Sequence, residues 1–505
     1  MAISIENTKR RIVPRWPGFR HALKSGELDP PDNLIVDKLP PDDFLLRKKT
    51  EWEENHTILF ATDLIGAAYV MGQDDLAHEA AQFVIDSAQN VSSVAISVAK
   101  KILHIPEIGG EDQSIDYSAS ESHIYGDIRK LKVKRINQPR NAFVWSDLAR
   151  LYTILGLQEQ ASKAMQIALS LAPQNRYIIR SAARLKLHLN EPDRAHNLLR
   201  KASNLEYDPW LMAAEIAVSS VLGKTSRYIK AGLGMVQDES IDPFHLCELS
   251  SALASVELWT GKIKNAKRLF NKSLFKPNDN TLAQAAWATN YIPIDSLSKD
   301  IVSQSTAFEA MALISYFEGK WKDSLEASQS WRNEELFSRR PLIHISFLMS
   351  EIFEDFSGTT KLINEALRII PKDPTLLNNL AFALANQGSL EDAQKTLNCI
   401  DLSKSPMTTK ICISATAGLI EYRAGRPDRG RELYSKAIQV ASKESLLSLK
   451  CRAMIYLARE EMLSHGLSSD KYRQLAVKEG RKLNDPSLDL LIQRLEKLEF
   501  RKYLP

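Results

Sequence analysis

From Trp52 onward, apolar residues recur at the three- and four-residue spacings of helix faces, whereas residues 1–50 do not follow that period. The pattern is clearest in residues 142–175. Trp145, Leu148, Ala149 and Tyr152 stand at offsets 0, 3, 4 and 7 and form one face of a helix. Gly156 follows where a turn is needed, and Ala161, Met165 and Ala168 then line a second helix that Pro173 stops. Two short amphipathic helices joined at a glycine cannot bury their apolar faces alone, so the unit predicts neighbours of its own kind.

Such neighbours are present. Residues 176–209 place Ala182 and Ala183 on a first helix and Ala195 and Ala202 on a second, with Pro209 just past the end. Residues 374–401 carry Leu377, Leu380, Ala381, Leu384, Gly388, Ala393 and Leu397, and residues 411–441 carry Ala417, Gly418, Gly425, Gly430, Tyr434 and Ala437. Looser units occupy 58–84, 247–277, 305–331 and 342–371. Small residues recur where helices approach closely, and glycine recurs at the hairpin turn.

These residues resemble the tetratricopeptide repeat, a hairpin of about 34 residues with a Trp, a Leu-Gly pair, a Tyr, an Ala, a Phe and a closing Pro. In 142–175, Ala149 stands for the second glycine and Met165 for the phenylalanine. The resemblance covers about three quarters of the chain. It implies an all-α fold, a right-handed α-solenoid of helical hairpins with a concave face lined mainly by the first (A) helix of each pair.

Breaks in the period predict the organisation. Residues 1–50 are an irregular, Pro-rich arm; 51–128 hold N-terminal hairpins and an insertion; 129–141 are a basic linker. Hairpin arrays follow at 142–277 and 305–484, separated by an irregular joint at 278–304. Residues 485–505 form a terminal capping helix, with Asp485 as N-cap and Pro486 at its first position.

Composition narrows the function classes. The chain has 505 residues, 44% apolar and 25% charged, with only 20 Gly and 21 Pro, which favours long helices over tight β-turns. A net charge of +4 does not by itself call for nucleic acid. Cys247, Cys399, Cys412 and Cys451 fit no disulfide framework or metal pair and are expected as buried thiols in a reducing compartment. There is no apolar leader and no run long enough to span a bilayer, so a cytoplasmic protein is expected.

Motifs for chemistry fail on spacing. His78-Glu79 begins a zinc-protease pattern, but Gln82 stands where the second histidine belongs. Gly223-Lys224-Thr225 resembles the end of a phosphate loop, but Val218 replaces its first glycine. Gly232 and Gly234 lack the third glycine of a dinucleotide fingerprint. Asp42-Asp43 and Asp74-Asp75 suit helix starts. No catalytic residue, metal or cofactor is expected.

Binding has three candidate places. On the tetratricopeptide arrangement, Phe143, Ser146, Arg150 and Thr153, then Tyr177, Arg180, Arg184 and His188, face the groove, and Asn378 is similarly placed later. Three arginines beside two aromatics suit a carboxylate or phosphate, or are simply solvated. A second place is the cluster Arg129, Lys130, Lys132, Lys134, Arg135 and Arg140, either a nucleic-acid patch or a solvated segment. The third is the arm, where Lys9, Arg10, Arg11, Arg15 and Arg20 surround Trp16 and Phe19, either a docking peptide or a segment packed on the array. The expected function is a non-catalytic scaffold or adaptor that binds a protein or peptide along the groove. The alternative is a nucleic-acid-associated repeat protein using 129–140.

Overall fold

A computed structural model describes residues 1–3, 10–18, 43–71, 73–88, 91, 93–105, 121–295, 297, 307–370 and 373–502. Lys9, Phe19, Arg20, Asp42, Gly72 and the stretch 106–120 lie outside them. The described residues form helices and no strand.

In chain order the helices are α1 (Asp43–Glu54), α2 (Ile58–Met71), α3 (His78–Asp86), α4 (Ser93–Ile102), α5 (Glu121–Asn137), α6 (Ala142–Ile154), α7 (Gln158–Leu171), α8 (Arg176–His188) and α9 (Pro192–Arg200). Next come α10 (Pro209–Val221), α11 (Ile229–Gln237), α12 (Pro243–Trp259), α13 (Ile263–Ser273), α14 (Asp279–Ala288), α15 (Phe308–Phe317), α16 (Trp321–Glu334) and α17 (Arg339–Phe347). The last are α18 (Phe356–Ala366), α19 (Pro374–Asn386), α20 (Leu390–Asn398), α21 (Met407–Arg423), α22 (Pro427–Lys443), α23 (Leu447–Leu463), α24 (Ser469–Gly480) and α25 (Pro486–Lys502).

The chain divides into two compact units. Unit I is Arg10–Ala310 with Asn333–Leu336, and unit II is Met1–Lys9, Met311–Arg332 and Phe337–Pro505. In unit I, α6 pairs with α7, α8 with α9 and α12 with α13, while α6, α8, α10, α12 and α14 pack in succession as A helices. In unit II, α17, α19, α21, α23 and α25 form the corresponding series, paired with α18, α20, α22 and α24. Each unit therefore stacks hairpins, each covering the apolar face its neighbour exposes.

Local chemistry sets the hairpins. Asn141, Asn175, Asp208, Asp242 and Asn278 cap successive A helices of unit I, each accepting main-chain N–H groups of the first turn. They stand 34, 33, 34 and 36 residues apart, which is the repeat length itself. At the hairpin turns Gly156, Gly223, Gly261, Gly319, Gly388 and Gly425 have φ between 68° and 88°, a region open to glycine. Asn190, Glu354, Ser445 and His465 adopt the same left-handed region at turns where no glycine takes that position.

Three expectations need correction. The basic stretch 129–141 is helix as far as Asn137, because Ile124, Ile128 and Leu131 give α5 a buried face. The joint at 278–304 begins with helix α14, capped by Asn278 Oδ1 on the Thr281 N–H at 2.9 Å. Cys399 is exposed, while Cys247, Cys412 and Cys451 are buried. The terminal helix α25 starts at Pro486 as its sequence suggests, and Asp485 Oδ1 accepts from the Ser487 N–H at 2.9 Å.

Candidate functional site

Residues 10–18 lie along unit I, in contact with polar side chains of the A helices α6, α8, α10 and α14 and of α15. Arg10, Ile12, Pro14, Trp16 and Gly18 are buried while the residues between them are half-buried, the period-two alternation of an extended chain. One three-residue turn interrupts it, closed by the Val13 N–H donating to the Arg11 carbonyl at 2.8 Å.

Two kinds of contact hold this segment. The first reads its main chain. Arg150 Nε donates to the Trp16 carbonyl at 2.9 Å, the Tyr177 hydroxyl to the Pro17 carbonyl at 2.8 Å, Asn280 Nδ2 to the Val13 carbonyl at 3.0 Å and Gln284 Nε2 to the Arg10 carbonyl at 3.2 Å. The second reads side chains. Arg10 spans Glu309 with its Nε and Nη2, both at 2.8 Å, and donates further to Gln284 Oε1 at 2.6 Å and Asn280 Oδ1 at 2.9 Å. Arg15 Nη2 lies 3.1 Å from Glu309 Oε2, and the Trp16 indole N–H donates to Ser146 Oγ at 3.3 Å. A fork on both oxygens of one carboxylate is the strong geometry for a guanidinium.

Unit II grips residues 1–3 in the same manner. Asn379 binds Ile3 twice, accepting from its N–H at 2.6 Å and donating to its carbonyl at 3.2 Å. Asn378 Nδ2 donates to the Met1 carbonyl at 2.9 Å, and Glu351 Oε1 accepts from the Ala2 N–H at 2.7 Å. The Met1 amine donates to Thr416 Oγ1 at 2.8 Å, and that hydroxyl donates to Asn378 Oδ1 at 3.0 Å. Burial lowers the amine from its ordinary 8.0 to about 5, with Glu351 and Cys412 opposing and Arg459 and Arg452 assisting. Arg452 Nη1 in turn holds the second Glu351 oxygen at 2.7 Å.

The residues singled out from sequence fall into three groups. Phe143 and Tyr177 pack with ring centres 5.9 Å apart and planes tilted by 53°, and Tyr177, Arg150 and Asn378 touch the N-terminal segments directly. Arg180 instead serves the scaffold: its guanidinium lies 2.9 Å from Glu248 Oε2 and 5.0 Å from the Trp210 ring centre. Arg184 and His188 are half-buried on the same helix. The expected free cationic strip is thus absent, because Arg150 and Arg180 are spent on main-chain carbonyls and a buried carboxylate.

The basic cluster lies on α5 and just beyond it. Arg129, Lys130 and Lys132 are exposed, Lys134 is half-buried, Arg135 stands 5.2 Å from the Trp145 ring centre, and Arg140 pairs with Glu51 at 2.7 Å. Sequence reasoning missed Glu309, Gln284, Asn280, Glu351, Asn379 and Thr416. Asn280, Gln284, Asn379 and Thr416 stand on A helices, Glu309 on α15 and Glu351 just past α17, and at each a surface polar residue is equally expected from sequence.

Two near-misses for chemistry resolve structurally. Gly223 is a hairpin-turn glycine with φ 68°, not part of a phosphate loop. His196 Nε2 meets both Glu215 Oε1 at 3.0 Å and Ser219 Oγ at 3.1 Å. In a Ser-His-acid relay the carboxylate holds the opposite ring nitrogen, so this cluster has a different geometry. Among the described residues no cluster of His, Cys, Asp and Glu is arranged to hold a metal, and no helix is long and apolar enough to cross a membrane.

No family model and no curated protein matches the chain. Solved structures similar to it include Cut9 with Hcn1 from an APC/C hetero-tetramer (13% identity, 90% of this chain and 96% of that one, TM-score 0.36). Yeast Tom70 is similar at 13% identity, 92% and 97% coverage and TM-score 0.33. A human IFIT1 dimer with a capped RNA, m7Gppp-AAAA, is similar at 12% identity, 90% and 98% coverage and TM-score 0.28. Likeness at this level carries no reading of function. By the geometry of its own hairpins, the chain is an all-α protein of stacked helical hairpins, whose A-helix caps in unit I recur every 33 to 36 residues.

Proposed function

We propose that the protein is a non-catalytic adaptor that holds an extended segment of a protein partner along the A-helix face of its hairpin stack. The observation that supports this reading is the N-terminal segment itself. Arg150, Tyr177, Asn280 and Gln284 bind four of its carbonyl groups, which any extended peptide supplies. Extended chains in a repeat groove are bound in this way: polar side chains fix the main chain, and pockets at alternate positions select the sequence.

The test uses the partner captured from the native source. Arg150→Glu with Tyr177→Phe is expected to abolish capture while circular dichroism stays unchanged. Arg129→Glu with Lys132→Glu, on the outer face of α5, is expected to leave it intact. The reverse pattern, with retention that collapses steeply as salt rises, would assign the protein to nucleic acid through the basic segment instead.

A further inference from the structure

The A-helix face of unit I already holds a ligand, and its chemistry is specific. We propose that this face is a site for a cationic, tryptophan-containing extended segment of a partner protein, and that residues 10–18 occupy it as an internal competitor which the partner displaces. This rests on the adaptor reading and names the class of segment it accepts.

The socket is acidic where the sequence suggested a basic one. Glu309 faces both Arg10 and Arg15, Glu334 lies 3.9 Å from Arg15, and Glu335 and Asp279 act on Arg15 electrostatically. Burial, reinforced by Asp279 and Glu335 against Arg15 and Arg150, pushes the Glu334 carboxyl up to about 7. These four acids, from α14, α15 and the end of α16, all act on Arg15, and a guanidinium relieves their mutual repulsion better than water does. Beside them, Ser146 receives an indole N–H from a Trp16 ring that is 1% exposed. The face thus selects arginine, then arginine and tryptophan together five and six residues later, on a main chain fixed at four carbonyls.

The occupant is separable from the scaffold. Residues 10–18 belong to no helix, and the hairpins close their own main-chain hydrogen bonds without them. The arm contacts described above are side-chain contacts and carbonyl acceptance, which a second segment of the same pattern would reproduce.

The experiment introduces a specific protease site within residues 19–42, cuts the protein and strips off the N-terminal fragment that carries residues 1–18, with circular dichroism confirming retained helix. A fluorescein-labelled peptide of residues 10–18 is then titrated and read by anisotropy. Saturable binding to the cut chain is expected, at least tenfold weaker on the uncut chain. A peptide carrying Arg10→Glu and Arg15→Glu should bind the cut chain at least tenfold more weakly, as should the unaltered peptide to a Glu309→Gln chain. If cutting disturbs the fold, an uncut chain bearing Arg10→Ala and Trp16→Ala provides the open face. Equal binding of native and charge-reversed peptides, or no uptake by a folded open chain, overturns the proposal. A folded open chain that refuses the cationic peptide, yet still captures the native partner through Arg150 and Tyr177, would sink the proposal alone. Capture indifferent to Arg150 and Tyr177 would sink the adaptor reading beneath it.

Discussion

Arg180 and Glu248 are both buried and face each other across the A helices of unit I. Removing one partner of such a pair leaves an uncompensated charge out of water, a loss of about 3–5 kcal/mol. Arg180→Glu is therefore expected to lower the urea midpoint sharply, because it sets a second carboxylate against Glu248, and a midpoint equal to the native one would disprove the pairing. The Met1 amine gives a pH dependence with a defined sign. It is lowered from 8.0 to about 5 when buried, so between those values the undocked segment binds the proton and the docked one does not. Docking of residues 1–3 should be complete above pH 8 and weaken as pH falls toward 5. Amide exchange at Ile3, measured across that range, should speed up correspondingly beyond its intrinsic pH trend. At this scale the sequence was legible in part. Arg150, Tyr177 and Asn378 were identifiable from register, but their use was not. Glu309 meets Arg10 across 299 residues of chain, a separation no local pattern encodes.

At the scale of elements, periodicity found the hairpins that turn at Gly156, Gly261, Gly319, Gly388 and Gly425, but missed the one at Gly223, where it tested only for a phosphate loop. It also found the hairpin that turns at Asn190, but no unit was read around His465, because a non-glycine residue in the left-handed region carries no comparable signal. The Asx caps at near-constant spacing were present in the sequence and are a better guide than the apolar pattern for α10 and α14, whose surroundings are buried on most sides. The basic segment misled because its cations outnumber the three apolar residues that seat α5. Two substitutions test the packing. Gly156→Val forces a β-branched residue to φ 71° and should cost about 1–3 kcal/mol. Gly430→Ala would set a methyl against the Tyr422 ring at Cδ2 and 2.9 Å from the Gly418 carbonyl oxygen, where α21 and α22 touch. Overpacking there should cost about 1–3 kcal/mol. Thermal melts of both variants read these losses, and unchanged melts would refute the turn and the close approach respectively.

At the scale of the whole molecule, each unit is a stack of hairpins that binds a stretch of the chain's own beginning, residues 10–18 in unit I and 1–3 in unit II. The arm looked irregular in sequence because its order comes from the helices it lies on rather than from any period of its own. A chain lacking residues 1–18 should keep its helical circular dichroism and lose stability, since Glu309 then loses Arg10 and Arg15, and Glu351 loses the Ala2 N–H. The most direct measurement replaces Trp16 with p-benzoylphenylalanine and irradiates the dilute protein. The expected product is an intramolecular crosslink to the peptide spanning α6, where Ser146 and Arg150 sit. A crosslink formed only between molecules, or none from a folded chain, would contradict the placement of the arm on the A-helix face.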